Sequence, residues 1–200
     1  MRRRKRNINF TLGLIIISFV IIFVIMGALW TPYDPNGMSA SLKNSPPSFN
    51  HLFGTDNFGR DILSRVMVGA KTTFIVAFFT VLIGASIGTV IGALTGYYGG
   101  LFDEVLMRIN DGLASFPSIL LAIAIVAVLG PSLQNALIAI AIINVPNFGR
   151  LIRSRVLSIK EEEYITAAKA IGMSDRRILF SHILPNAMTP IIVQGTLAIA

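Results

Sequence analysis

Residues 72–95 read TTFIVAFFTVLIGASIGTVIGALT, an unbroken run without a single ionisable side chain. A helix rises 1.5 Å per residue, so about 20 such residues cross a hydrocarbon core of about 30 Å. This run is long enough to do so with tilt to spare. The whole chain agrees with that reading: of 200 residues 54% are hydrophobic and 14% charged, and the mean hydropathy is +0.71. Soluble domains rarely reach such values. The expected fold class is all-α, a polytopic helical membrane protein.

Three further spans are expected outward from this one. Ile8 to Trp30 carries no charge and follows Arg2, Arg3, Arg4, Lys5 and Arg6. No small-residue cleavage site follows it, so it reads as an uncleaved anchor rather than a signal peptide. Leu113–Leu129 and Leu133–Phe148, separated by Gly130-Pro131-Ser132, are shorter and require tilt, protein-lined packing or a re-entrant course. A fifth apolar segment starts near Met188 and stops at Ala200. Too short to span, it suggests a chain incomplete at its C-terminus.

Basic residues orient the bundle, because loops rich in Lys and Arg stay in the cytoplasm. With the N-terminus inside, 13 Lys and Arg fall on the inner side and 4 (Lys43, Arg60, Arg65 and Lys71) on the outer. The net charge of +7 therefore reads as a cytoplasmic membrane face and not as a nucleic-acid surface. With no cysteine, disulfides, zinc clusters and cysteine nucleophiles are excluded.

Gly84, Gly88, Gly92 and Gly96 recur every fourth residue and draw a strip without side chains on one face of the second span. In lipid such strips let helices approach closely. No Asp, Glu, Lys, Arg or His lies within the four expected spans, which argues against an ion-coupled carrier. Gln134 and Asn144 are the notable polar side chains there, best read as interhelical hydrogen-bonding groups. His51 and His182 fall on opposite sides of the bilayer in this topology and cannot form a metal pair. Gly69-Ala70-Lys71-Thr72 comes near a phosphate-binding loop but lacks the Gly directly before Lys. No catalytic residue, metal or cofactor site is expected, and any fuel must be burned by a partner.

The inner segment 149–188 is the most heavily punctuated. Ser158 and Glu161 have the spacing of a capping box. Tyr164, Ala167, Ala168 and Ile171 then fall on one helical face, and Gly172 supplies a left-handed stop. Ser174 and Asp175 are placed to open a second helix, Arg176–Leu184, which Pro185 is expected to end. These features suit either a stiff knob inserted into another protein or an amphipathic loop on the lipid surface.

Thr166-Ala167-Ala168, then Gly172, then His182-Ile183-Leu184-Pro185 resembles the Glu-Ala-Ala loop of ATP-binding-cassette importer permeases. Thr166 stands where that family has Glu and His182 where it has Ile. The His-Ile-Leu-Pro-Asn run at 182–186 is similar to the dipeptide and oligopeptide branch. Pro32-Tyr33-Asp34-Pro35, the stretch Phe53 to Asp61, and the stretch Asp103 to Pro117 extend the resemblance to the second permease subunit of peptide importers.

The resemblance implies a type I importer transmembrane fold of six spans. Residues 1–71 would form a basic tail, first helix and external segment, and 72–200 the permease unit. It implies a heterodimer with a second permease, two cytoplasmic ATPases that bind the ATP, and an extracytoplasmic solute-binding protein, in a bacterial or archaeal cell membrane. Coupling would run through Glu163, Tyr164, Ala167, Ala168, Gly172, Ser174, Leu184 and Pro185, with Glu161, Glu162 or Glu163 in place of the missing Glu. A permease for nickel or another small solute is the nearest alternative, and an ATPase-independent channel or carrier the more distant one.

Outside, Gly54–Gly69 reads as a short amphipathic helix. Ile62, Leu63, Val66 and Met67 would lie on one face and Arg60, Asp61 and Arg65 on the other. With Gly54, Asp56 and Gly59 it forms a candidate docking or bundle-capping element. Leu101–Asp111 is expected to be an interfacial helix.

Overall fold

Apolar length decides where the helices form. The computed structural model describes residues 8–199. It contains α1 (Ile8–Leu29), α2 (Ile62–Tyr98), α3 (Gly100–Ala114), α4 (Ser118–Leu129), α5 (Leu133–Lys160), α6 (Glu163–Ala170), α7 (Asp175–Arg177) and α8 (Leu184–Ile199). A wide π-helical stretch, Ile178–Ile183, joins α7 to α8. The only β pairing among the described residues is an isolated bridge between Thr55 and Asp61. The all-α class holds. The basic cluster Arg2–Arg6, on which the orientation partly rests, lies outside the described residues.

α1, α2 and α5 are each long and apolar enough to cross a membrane, and α3 with α4, bent by 93°, supplies a fourth crossing if the pair counts as one. The expected third span, Leu113–Leu129, is therefore corrected. Its first part belongs to α3, and the chain turns at Ser115–Pro117 before α4 begins. Proline disfavours helix at the residue before it. The 12 residues of α4 reach only about 18 Å, less than the hydrocarbon core. The second and fourth spans are longer than expected. α5 does not stop at Phe148, because its buried stripe of Ala141, Val145, Phe148, Ile152 and Val156 continues on one face. Pro146 sits inside it, as membrane helices allow where neighbours meet the freed backbone groups.

The chain divides into two compact units, one up to residue 75 and one from residue 76, with α2 running through both. In the first unit the apolar side chains of α1 are largely exposed and only Gly27 is buried. A Cβ at Gly27 would strike the backbone and Cβ of Met67, so the two helices meet there in close contact.

Residues 54–61 are not helical, which corrects the amphipathic helix expected from Gly54. They form a tight turn held by Asp56 and closed by the Thr55–Asp61 bridge. Asp56 Oδ1 accepts the amides of Phe58 at 2.8 Å and Arg60 at 3.0 Å, while Oδ2 accepts Arg60 Nε at 2.8 Å and Arg65 Nη1 at 3.0 Å. Gly54 and Gly59, at φ 72° and 73°, take left-handed conformations that a side chain would strain. Asp61 then caps α2, accepting Ser64 N at 2.8 Å and Ser64 Oγ at 2.7 Å on Oδ2, with His51 Nδ1 at 2.9 Å on Oδ1. Such a cap is worth about 1 kcal/mol. Local side-chain competition for backbone amides thus overrides helical periodicity until Ile62.

In the second unit the glycine strip packs α2 onto α5. A Cβ at Gly84 would lie 2.8 Å from Asn144 Cβ, at Gly88 2.7 Å from Val145 O, and at Gly96 2.9 Å from Val156 Cβ. At Gly92 it would collide with the Gly149 carbonyl oxygen. Asn144 Nδ2 donates to the Ile140 carbonyl within α5, 3.1 Å away, so it is not the interhelical bond expected of it. α3 is pinned to α5 by polar contacts. Arg153 donates twice to Asp103, both at 2.6 Å, and buried Asn110 donates to Pro146 O at 3.3 Å. α8 joins them, with Ala187 and Ile191 buried.

Two outcomes follow from this packing. Gly92→Ala should destabilise the folded protein by about 1–3 kcal/mol, whereas Gly13→Ala, with nothing within 4 Å of the added Cβ, should be neutral or mildly stabilising. Reversible unfolding in mixed micelles measures both, and equal effects would remove the strip from the packing. The second outcome concerns acid. Desolvation raises the Asp56 pKa, but the hydrogen bonds from Arg60 and Phe58 and the Arg60 charge outweigh it and bring it from 3.8 to about 2. A carboxyl depressed on folding stabilises fully above its unfolded value and loses that contribution as pH falls toward its folded value. Hydrogen exchange of residues 54–61 should therefore accelerate between pH 3.8 and about 2, beyond the intrinsic pH dependence, and Asp56→Asn should show a smaller step. An unchanged step in the variant would assign it elsewhere.

Candidate functional site

α5 carries its buried stripe down to Val156 and ends at Lys160. Ser158 lies in its last turn, where its carbonyl accepts Glu161 N at 3.4 Å. The capping box expected at Ser158 and Glu161 is therefore absent, because the preceding helix has not yet ended. Glu162 occupies the N-cap position of α6 instead, and Glu163 stands in the first turn, where a carboxylate suits the helix dipole.

α6 ends as the sequence predicts. Gly172 has φ 78°. Its N–H donates to Lys169 O at 3.0 Å, and Met173 N donates to Ala168 O at 3.1 Å, the paired bonds of a Schellman cap. Nothing lies within 4 Å of a Cβ built on Gly172. The demand for glycine there is conformational, not a matter of space.

The faces of α6 differ from the expected arrangement. Ile165 and Ala168 point inward against Ile178, Leu179 and Ile183 in the core of this unit. Tyr164, Ala167 and Ile171 point outward, Ile171 at 79% exposure and Tyr164 at 44%. Thus of the four residues assigned to one apolar face, only Ala168 serves the core. The others form an apolar surface facing out. Asn186 Nδ2 donates to Tyr164 Oη at 3.2 Å and ties that surface to α8.

Beyond Gly172, Ser174 takes the N-cap position of α7 without making a side-chain cap bond. The expected helix Arg176–Leu184 ending at Pro185 is corrected, since α7, the π stretch and α8 run on without a break to Ile199. Leu184 N donates to Leu179 O, five residues back. A widened turn of this kind gives room to the Pro185 ring, which in an α-helix would press on the carbonyl four residues earlier. Leu184 is half-buried and Pro185 exposed.

Sequence reasoning missed Tyr97. This last-turn residue of α2 is 4% exposed, and its hydroxyl donates to Asp175 Oδ1 at 2.6 Å. Lys160 Nζ donates to its carbonyl at 2.6 Å, and Lys160 and Lys169 place Nζ over its ring at 5.7 and 5.8 Å from the centroid. The available signal was the pair Tyr97-Tyr98 ahead of Gly99 and Gly100, both at positive φ. Gly96, the last member of the strip, packs on Arg153 and Val156 one residue before it. Gly54, Asp56, Gly59, Arg60, Asp61 and Arg65 belong to the other unit and form the turn and cap already described.

Among the described residues no group of three His, Cys, Asp or Glu side chains converges as a metal site would require. A cavity at the α3–α4 bend, lined by Phe116, Ser118, Asn147 and Arg150 among others, holds about 90 Å³, below the usual range for a small-molecule pocket. A wider groove of about 430 Å³ between α4 and α5 is lined only by Ala124, Ile125, Val128, Leu129 and Ile142. It offers no polar side chain to orient a ligand.

Residues 88–200 match the family described as binding-protein-dependent transport system inner membrane component. The chain is 53% identical over 196 residues to the dipeptide transport system permease protein DppC of Alkalihalophilus pseudofirmus, covering 98% of this chain and 64% of that protein. It is 44% identical over 200 residues to the glutathione transport system permease protein GsiD of Escherichia coli, covering 99% and 65%. A putative peptide transport system permease protein of Brucella abortus is 39% identical over 199 residues, covering 100% and 67%. The chain thus spans just under two thirds of the length of the first two. A match over more than half of the chain, on a multi-pass helical fold with a glycine-capped helix pair after α5, shows that the chain belongs to the family of binding-protein-dependent transport system inner membrane components.

Proposed function

We propose that this chain is a permease subunit of an ATP-driven peptide importer. It lines the translocation path together with a second permease and takes its power stroke through the segment 149–188. The observation that carries this reading is the outward apolar surface of Tyr164, Ala167 and Ile171 on a helix whose opposite face is locked into the core. A short helix with small and apolar side chains outside and a rigid footing inside suits insertion into a cleft of a cytoplasmic ATPase. Two such ATPases would bind and hydrolyse the ATP, and an extracytoplasmic solute-binding protein would deliver the cargo. The N-terminus would lie in the cytoplasm.

The relatives described above, permeases for dipeptides, glutathione and peptides, favour a peptide cargo over nickel. The absence of ionisable groups from the apolar runs 8–30, 72–95, 118–129 and 133–148 favours an external fuel over ion coupling. Residues 54–61, held rigid by Asp56 and Asp61, are suited to face the binding protein.

Two measurements test this. Proteoliposomes holding the full-length subunit, its permease partner, both ATPases and the binding protein should take up dipeptide or oligopeptide only with internal ATP. Uptake driven by an ion gradient without ATPases would replace the importer with a carrier. A Gly172 series should rank by backbone strain and not by size. Asn should be mildest, Ala intermediate at about 1–2 kcal/mol of left-handed strain, and Val strongest, with uptake falling in that order while immunoblots show the protein still in the membrane. Full uptake by Gly172→Val would take the segment out of the coupling.

A further inference from the structure

We infer that Tyr97 is the positioning residue that locks the coupling segment to α2, so that a push on α6 moves the transmembrane helices as one body. The inference deepens the proposed importer function and rests on it. α6 is joined to α5 by a two-residue turn, and on its other side by a cap and the π stretch before α8. A π stretch is a widened, less common form of helix, frequent at functional sites, and only two residues link α5 to α6. A load applied at the outer face of α6 could be absorbed at these joints unless something braces them.

Tyr97 is the brace. Three elements close on this one buried side chain. The end of α5 reaches it through Lys160, at its carbonyl and over its ring. α6 reaches it through Lys169, over the same ring. The start of α7 reaches it through Asp175, whose Oδ1 accepts a hydrogen bond from the phenol hydroxyl at 2.6 Å. A hydroxyl donating to a carboxylate is among the strong, directional hydrogen bonds. Here it sits beside the point where Gly96 holds α2 against Arg153 and Val156 of α5. The phenol thus ties both sides of the Gly172 corner to the helix that carries the glycine strip. Its neighbour Tyr98, 53% exposed, has no such set of partners among the contacts that define this joint.

The test uses the complete importer in proteoliposomes and reads ATP hydrolysed per peptide imported. Tyr97→Phe keeps the ring and both lysine contacts and removes only the phenol proton donor. It should lower uptake roughly tenfold, the size of one charge-assisted hydrogen bond, while peptide-stimulated ATP hydrolysis stays within about twofold. Asp175→Ala should match it. Asp175→Asn keeps an acceptor oxygen and should recover most of the uptake lost in Asp175→Ala. The double variant Tyr97→Phe/Asp175→Ala should be no worse than either single one, as for two ends of one interaction. Parallel loss of hydrolysis and assembly would make Tyr97 merely structural and overturn the inference, as would an unchanged ratio of ATP to peptide. The Gly172 series separates this failure from that of the importer reading. If Gly172→Val uncouples and Tyr97→Phe does not, only the Tyr97 assignment falls; if neither does, the coupling role of the segment falls first.

Discussion

The backbone of α5 lies where side chains of α2 would otherwise stand. Within a bilayer hydrophobicity does not push helices together, since lipid is as apolar as leucine, so close van der Waals contact must hold them. At Gly84, Gly88, Gly92 and Gly96 each missing side chain is replaced by an atom of the facing helix, among them the carbonyls of Ala141, Val145, Gly149 and Arg153. Once α2 and α5 are fixed along four turns, the position of everything that follows is largely set. α3 is clamped on α5 by Asp103 to Arg153 and Asn110 to Pro146. The short α4 comes before the turn at Gly130, which folds α5 back along it.

That rigid pair explains how the segment after α5 can be well placed without a large core of its own. α5 runs on beyond its apolar stretch to Lys160, and its last buried residue, Val156, shares one apolar cluster with Ile165 and Ala168 of α6 and with Ile178, Leu179 and Ile183 of the π stretch. The inner half of α6 is thereby spent on stability. The outer half, with Ile171 and Tyr164, stays exposed. One short helix is thus divided into a fixed face and a free face, and Gly172 keeps the corner after it sharp.

Much of this was legible in residue spacing. The four-residue glycine period marked the packing strip before any partner was known, and Gly172 marked the end of α6, because only a left-handed cap suits a glycine after a helix of that length. The departures share a cause. Ser158 and Glu161 have the spacing of a cap, yet α5 was still burying Val156 when it reached them, and tertiary burial outweighs a capping preference of about 1 kcal/mol. Pro185 has the look of a terminator, but the widened turn of Ile178–Ile183 absorbs its ring. The helical pattern of Ile62, Leu63, Val66 and Met67 invites extension back to Gly54, but over 54–61 Asp56 and Asp61 capture the backbone amides first. Tyr97 was invisible because its partners lie 63 and 78 residues away in the chain, and no local pattern encodes such a meeting.

Sequence alone determined the membrane class, the number of apolar segments, the packing strip and the left-handed corner, since each depends on composition or on spacing within a single helix. Only the tertiary structure decided where α5 ends, which side of α6 is buried, that α3 and α4 meet at a bend of 93°, and that one phenol gathers Lys160, Lys169 and Asp175. These are outcomes of competition between distant surfaces for the same space and the same hydrogen-bonding groups, and a one-dimensional pattern does not rank such competitors.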